Sequence, residues 1–145
     1  MVKYVVILAL FLGACSGPPE EELARVGRGQ SAGARVPFNS ISAVTAWELM
    51  QTNPELVILD TRTRGEILRH GTLVGARPTS LSSVFKNQLD VAHEAPVLLM
   101  CAVGGRSYAA GQFMARHGYR QVYNLRGGLA EWKGAGLPVI FPQAR

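Results

Sequence analysis

Two continuous apolar runs mark the middle of the chain, and each ends in a residue with chemistry of its own. Leu56-Val57-Ile58-Leu59 leads into Asp60, and Pro96-Val97-Leu98-Leu99-Met100 leads into Cys101. Runs this short, with no polar alternation, suit strands covered on both faces of a parallel sheet. Gln121 to Leu125 reads as a further strand. Around these runs the spacing changes to three and four. Ala43, Ala46, Trp47 and Met50 share one helical face, with Ser42 as N-cap and Asn53-Pro54 as the stop. Helices are also predicted over 66–69, 81–89, 107–117 and from 129 to 133, with a loop through Gly71 and Gly75 and a short apolar stretch at 38–41. Strands alternating with helices predict one α/β domain over residues 38–142, with a mostly parallel central sheet and helices on both faces. In such a sheet ligands bind beyond the carboxyl ends of the strands, where Asp60 and Cys101 stand.

The first forty residues do not fit that pattern. Lys3 precedes an apolar run from Tyr4 to Leu12, and small residues follow it. That is the layout of an export signal, and the run is shorter than the roughly 20 residues a helix needs to cross a bilayer. Leu12-Gly13-Ala14-Cys15 resembles the bacterial lipobox. The resemblance implies a signal peptide at 1–14 and a lipidated Cys15 that anchors the chain to a membrane, facing the periplasm or cell exterior. Residues 16–37, with Gly17, Pro18, Pro19 and a Glu20-Glu21-Glu22 run, read as a flexible tether.

Composition narrows the function classes. An apolar fraction of 48% is enough for a packed core. The net charge of +5 comes from bases scattered along the chain, with no basic stripe and no aromatic interleaving, so no nucleic-acid partner is expected. Cys15 and Cys101 are the only cysteines and belong to different regions, which argues against a disulfide. His70, His93 and His117 stand apart, and no CxxC or HExxH spacing occurs, so neither a metal nor an organic cofactor is expected.

The segment Cys101-Ala102-Val103-Gly104-Gly105-Arg106-Ser107 joins a strand to a helix. Its glycines let the backbone curl N–H groups inward, and the helix adds its positive end. A thiol in that field loses its proton more readily, and Arg106 offers a planar fork to an oxyanion. The loop is therefore a nucleophilic sulfur beside an anion cradle.

This loop resembles the C-x-x-G-x-R-S active-site loop of the rhodanese (thiosulfate sulfurtransferase) family. Asp60-Thr61-Arg62 with Glu66 resembles the family's D-x-R-x-x-x-E element, and Gly71 to Ala76 its G-H-I-x-G-A signature. Asn124 to Trp132 with Gly136-Leu137-Pro138-Val139 resembles its closing N-L-x-G-G…W…G-L-P-V. The likeness spans essentially all of 38–142, in order. Two departures occur: Thr72 stands where the family has His, and the interval from Glu66 to Gly71 is one residue longer. A local loop change is the expected consequence, with His70 read as a surface residue.

The resemblance implies a rhodanese-like three-layer fold and a sulfurtransferase that works through a Cys101 persulfide. The donor is a small anion such as thiosulfate, and the acceptor a thiol or cyanide-like nucleophile, with a protein acceptor also open. Arg106 and, by resemblance, Arg62 contact the donor. Ala102, Val103, Gly104, Gly105 and Ser107 line the sulfur, and Asp60 braces the loop or pairs with an arginine. Four residues separate Cys101 from Arg106, whereas cysteine phosphatases use a loop with five, which disfavours phosphatase chemistry. The alternative is a noncatalytic binding or sulfur-delivery module acting with a protein partner.

Overall fold

The computed structural model describes residues 38–143. The expected signal segment, Cys15 and the tether lie outside the described residues. Five strands alternate with five helices: β1 (Phe38–Ile41), α1 (Ala43–Thr52), β2 (Val57–Asp60), α2 (Arg64–His70), β3 (Arg77–Pro78), α3 (Leu81–Phe85), β4 (Pro96–Met100), α4 (Gly105–Arg116), β5 (Gln121–Leu125) and α5 (Gly128–Gly134). The strands form one sheet in the order β1-β5-β4-β2-β3. All four pairings are parallel, so "mostly parallel" becomes fully parallel within the sheet. Outside it, among the described residues, a single antiparallel bridge joins Thr72 to Ile140.

β4 is buried along its whole length because it is the central strand and carries helices on both sides. Its alternate residues divide the core into two layers. Leu98 and Met100 pack with Ile58, Leu125, Ala43 and Ala46 of α1, and Leu129 and Trp132 of α5. Val97 and Leu99 pack with Leu59, Val122, Val84 of α3, and Ala110 and Met114 of α4. Trp132 is fully buried, meets Trp47 edge-on at 5.8 Å between ring centres, and donates its indole N–H to Pro138 O at 2.9 Å. Burying a ring of that size contributes the largest apolar area of any residue here, and the partnered N–H removes the polar penalty.

Helix boundaries follow local chemistry. Ser42 caps α1 by accepting from Thr45 N at 3.2 Å. Thr63 and Glu66 form a capping box on α2, which starts the helix two residues before the expected Glu66. The helix expected over 81–89 ends at Phe85, because Asn87 adopts a left-handed φ of 51° that a helix cannot continue. β3 has no counterpart among the predicted elements: its two exposed residues, Arg77 and Pro78, carry no periodic signal.

Candidate active site

Cys101 sits one residue beyond β4 and opens the short loop to α4, so the sheet fixes where its sulfur projects. The residue is 1% exposed. Gly104 turns the chain with φ 91° and serves as N-cap of α4 without a side-chain cap. The cysteine lies at this uncapped end of the helix, and Gly104 N–H donates to Cys101 Sγ at 3.1 Å. Only glycine fits at 104: a Cβ there would lie 2.9 Å from Gly127 N.

The opposite edge of the loop is pinned by α5. Leu129 N–H donates to Cys101 O at 2.8 Å, and Ala130 N–H donates to Ala102 O at 3.0 Å. A trans peptide points its N–H away from its C=O, so tying these carbonyls to α5 turns the following N–H groups toward the sulfur side. Two helix N-termini thus converge on one loop, α4 on the sulfur and α5 on the carbonyls.

Ser107 is buried on the first turn of α4, with Oγ 2.7 Å from Asn124 Oδ1, 3.1 Å from Gly104 O and 3.5 Å from Cys101 Sγ. One hydroxyl proton serves one acceptor at a time, and Asn124 is the nearest. Asn124 is itself held by donating from Nδ2 to Ser40 Oγ at 3.0 Å. The backbone donors therefore act on the sulfur steadily, and Ser107 contributes only part of the time.

Burial pushes the Cys101 thiol up, but the Ser107 hydroxyl and the N–H groups of Ser107, Val103 and Gly104 outweigh it and hold the thiol below its ordinary value. The sign follows directly: the thiolate persists as pH falls below that of a free cysteine, about 8.5, and is lost only through the depressed value. Titrating the thiolate absorbance on a Cys15→Ser chain should give a midpoint below a free thiol's. Ser107→Ala should move it part of the way back, since the backbone donors remain. A parent midpoint at or above the free-thiol value would contradict the cradle.

Arg106 lies on the first turn of α4 and makes a two-pronged bond to Glu66, with Nη2 to Oε1 at 2.5 Å and Nη1 to Oε2 at 3.1 Å. Glu66 also accepts from Thr63 N–H at 2.9 Å, so one carboxylate closes the α2 cap and fixes the guanidinium. The Arg106 side chain, the Thr63 N–H and the Thr63 hydroxyl hold the Glu66 carboxyl far below the usual carboxylate range. The Arg106 guanidinium is raised by Glu66 first and also by the Cys101 sulfur.

The predicted residues do not all converge. Ala102 is half-buried, Gly104 buried and Gly105 exposed, while Val103 is 71% exposed at the loop's crest. Arg62, expected as a second anion contact, is 4% exposed and its charge is matched by Asp60: Nη2 reaches Oδ2 at 2.6 Å and Nε reaches Oδ1 at 2.9 Å. Its Nη2 also donates to Gly71 O at 2.7 Å. Asp60 accepts in addition from Thr72 Oγ1 at 2.7 Å, so the residue standing in the histidine position joins a buried network. His70 is exposed at the end of α2. Glu66 and Asn124 belong to the site but were absent from the expected set. The Thr63-x-x-Glu66 spacing announces the cap, but nothing local announces a partner forty positions away. Among the described residues no cluster of His, Cys, Asp and Glu has the makings of a metal site.

The sequence matches the rhodanese-like domain family over residues 42–135. It is 34% identical over 104 residues to a thiosulfate sulfurtransferase GlpE of Actinobacillus succinogenes, covering 70% of this chain and 90% of that relative. It is 28% identical over 105 residues to a sulfurtransferase of Allochromatium vinosum, covering 72% and 97%. The fold resembles the crystal structure of a rhodanese-related protein of Thermoplasma volcanium, with a TM-score of 0.63 at 25% identity over 72% of this chain and 99% of that one. A buried thiol under a ring of N–H groups, set in a sheet of this order and matched along most of the domain, places the chain in the rhodanese-like family, with sulfurtransferase-like function at the level of that family.

Proposed function

We propose that the protein moves sulfane sulfur from thiosulfate or a similar anionic donor to a thiophilic acceptor through a persulfide on Cys101. The observation that carries this reading is the 3.1 Å bond from Gly104 N–H to Sγ at the foot of α4. It supports a thiolate in the resting site, so the attack needs no separate base. Sγ attacks the outer sulfur of thiosulfate, the S–S bond breaks, and sulfite departs with the electron pair. The outer sulfur remains as Cys101–S–S⁻, facing the loop N–H groups. An acceptor nucleophile then bonds to that sulfur, and Cys101 leaves as thiolate. Arg106 receives the donor's oxyanion end, held in direction by Glu66. Asp60 and Arg62 act from beneath, as a brace for the strand end that carries the loop.

The chain is, in this reading, an exported lipoprotein held at a membrane by Cys15, with residues 16–37 as its tether. Intact-protein mass spectrometry tests both parts at once. The mature chain should begin at Cys15 and carry acyl groups. Thiosulfate should add one sulfur atom, found on the peptide that contains Cys101 and removed by cyanide. A chain that gains no sulfur after reduction and desalting would overturn the transfer reading and favour a binding module. A chain that retains residues 1–14 would overturn the anchor.

A further inference from the structure

Beside the cysteine loop lies an open cavity of about 260 Å³. Its walls are apolar where Ala102, Val103, Leu129 and Ala130 meet, and Lys133 and His70 stand on its margin. At about 30 Å³ per water, liquid would fill it with roughly nine molecules, more than the five heavy atoms of thiosulfate require. The charges around it are unevenly matched. Arg62 is paired with Asp60 and Glu66 with Arg106, whereas Lys133 makes no ion pair among the described residues. Arg106 is not on these walls, but its partner Glu66 is, so the cavity opens beside the donor's oxyanion contact and extends past it along the loop.

We infer that the cavity is an acceptor pocket for an aliphatic thiol with an anionic tail, its carbon chain lying on Ala102, Val103, Leu129 and Ala130 and its tail on the Lys133 ammonium. The inference rests on the persulfide reading above and specifies its second half. The acceptor thiol gives its proton to Cys101–S–S⁻ and, as thiolate, bonds to the outer sulfur; the bond from that sulfur to Sγ breaks, and Cys101 departs with the electron pair. The acceptor leaves as a persulfide that keeps the proton, so no oxidant or reductant is consumed.

A pair of nine-atom and eight-atom thiols, 6-mercaptohexanoate and 6-mercaptohexan-1-ol, separates tail charge from thiol acidity, because the differing groups are six carbons from sulfur. The full chain is first loaded with thiosulfate, and loss of the persulfide is then followed with each thiol. The parent should favour the carboxylate by about fivefold in kcat/KM, a surface-type charge effect that salt reduces. Lys133→Gln should abolish the preference, and Lys133→Glu should reverse it toward the alcohol. Lys133 is exposed, so neither change threatens folding. Equal rates for both thiols in the parent, or a preference unchanged in Lys133→Glu, would overturn the pocket while leaving the persulfide reading intact. Failure to load any sulfur would strike the persulfide reading instead.

Discussion

Arg62→Ala is expected to lower the unfolding free energy by about 3–5 kcal/mol, the usual consequence of stripping one partner from a buried ion pair. The side chains of Arg62 and Asp60 are 1% and 0% exposed, so water cannot take over the lost contact. The change also removes the donor to Gly71 O. For a domain near 100 residues, this corresponds to a melting midpoint lower by about 12–25 °C, read by circular dichroism. The double change Asp60→Leu with Arg62→Met should recover only part of the loss. It removes the stranded charge but leaves the Arg62 N–H and the Thr72 hydroxyl without the carboxylate they now use. If Arg62→Ala melted within a few degrees of the parent while its KM for thiosulfate rose sharply, Arg62 would be a donor contact and the brace would be wrong.

Gly128→Ala should be the other costly change, and it should reach the chemistry as well as the fold. Gly128 has φ 57°, and a Cβ there would lie 2.5 Å from Cys101 O and 2.7 Å from Ala102 C. Both obstacles are backbone, so no side chain can swing aside. Left-handed strain of about 1–2 kcal/mol and overpacking of about 1–3 kcal/mol together predict a loss of about 2–5 kcal/mol. Relief comes by pushing the Cys101–Ala102 peptide away from α5, which turns the loop N–H groups off the sulfur. Sulfite release in a single turnover should therefore slow by about tenfold or more, roughly the effect of weakening one oriented donor. Gly134→Ala supplies the contrast within the same helix, since a Cβ there meets nothing within 4 Å and φ is ordinary. Alanine should stabilise that position slightly. Equal behaviour of the two variants would mean that the approach of α5 to the loop does not govern the site.

Much of this arrangement was legible in the sequence because it is local. The buried strands β2 and β4 appeared as unbroken apolar runs, and Asp60 and Cys101 marked their carboxyl ends. Ser42 announced α1, and Gly104 with Gly105 announced a tight turn into α4. What escaped depends on partners far along the chain. The direction of Arg106 is set by Glu66, and that of Ser107 by Asn124, forty and seventeen positions away. Arg62 was expected to face a donor; the sequence offers Asp60 two residues earlier, but only burial decides that the two must satisfy each other. The Thr72–Ile140 bridge is invisible for the same reason, since a single bridged pair leaves no periodic trace.

The sheet order also sets a timetable for synthesis. β1 is an edge strand whose neighbour in the sheet is β5, with Ser40 opposite Asn124. Between the end of one and the start of the other, the ribosome must deliver α1 through α4 and three strands. At about 5–20 residues per second, that interval lasts roughly 4–16 s, during which the earliest strand has no edge to join. The nascent domain cannot mature from its amino end forward; it closes late and as a unit, when its last strand slides in between the first and the centre.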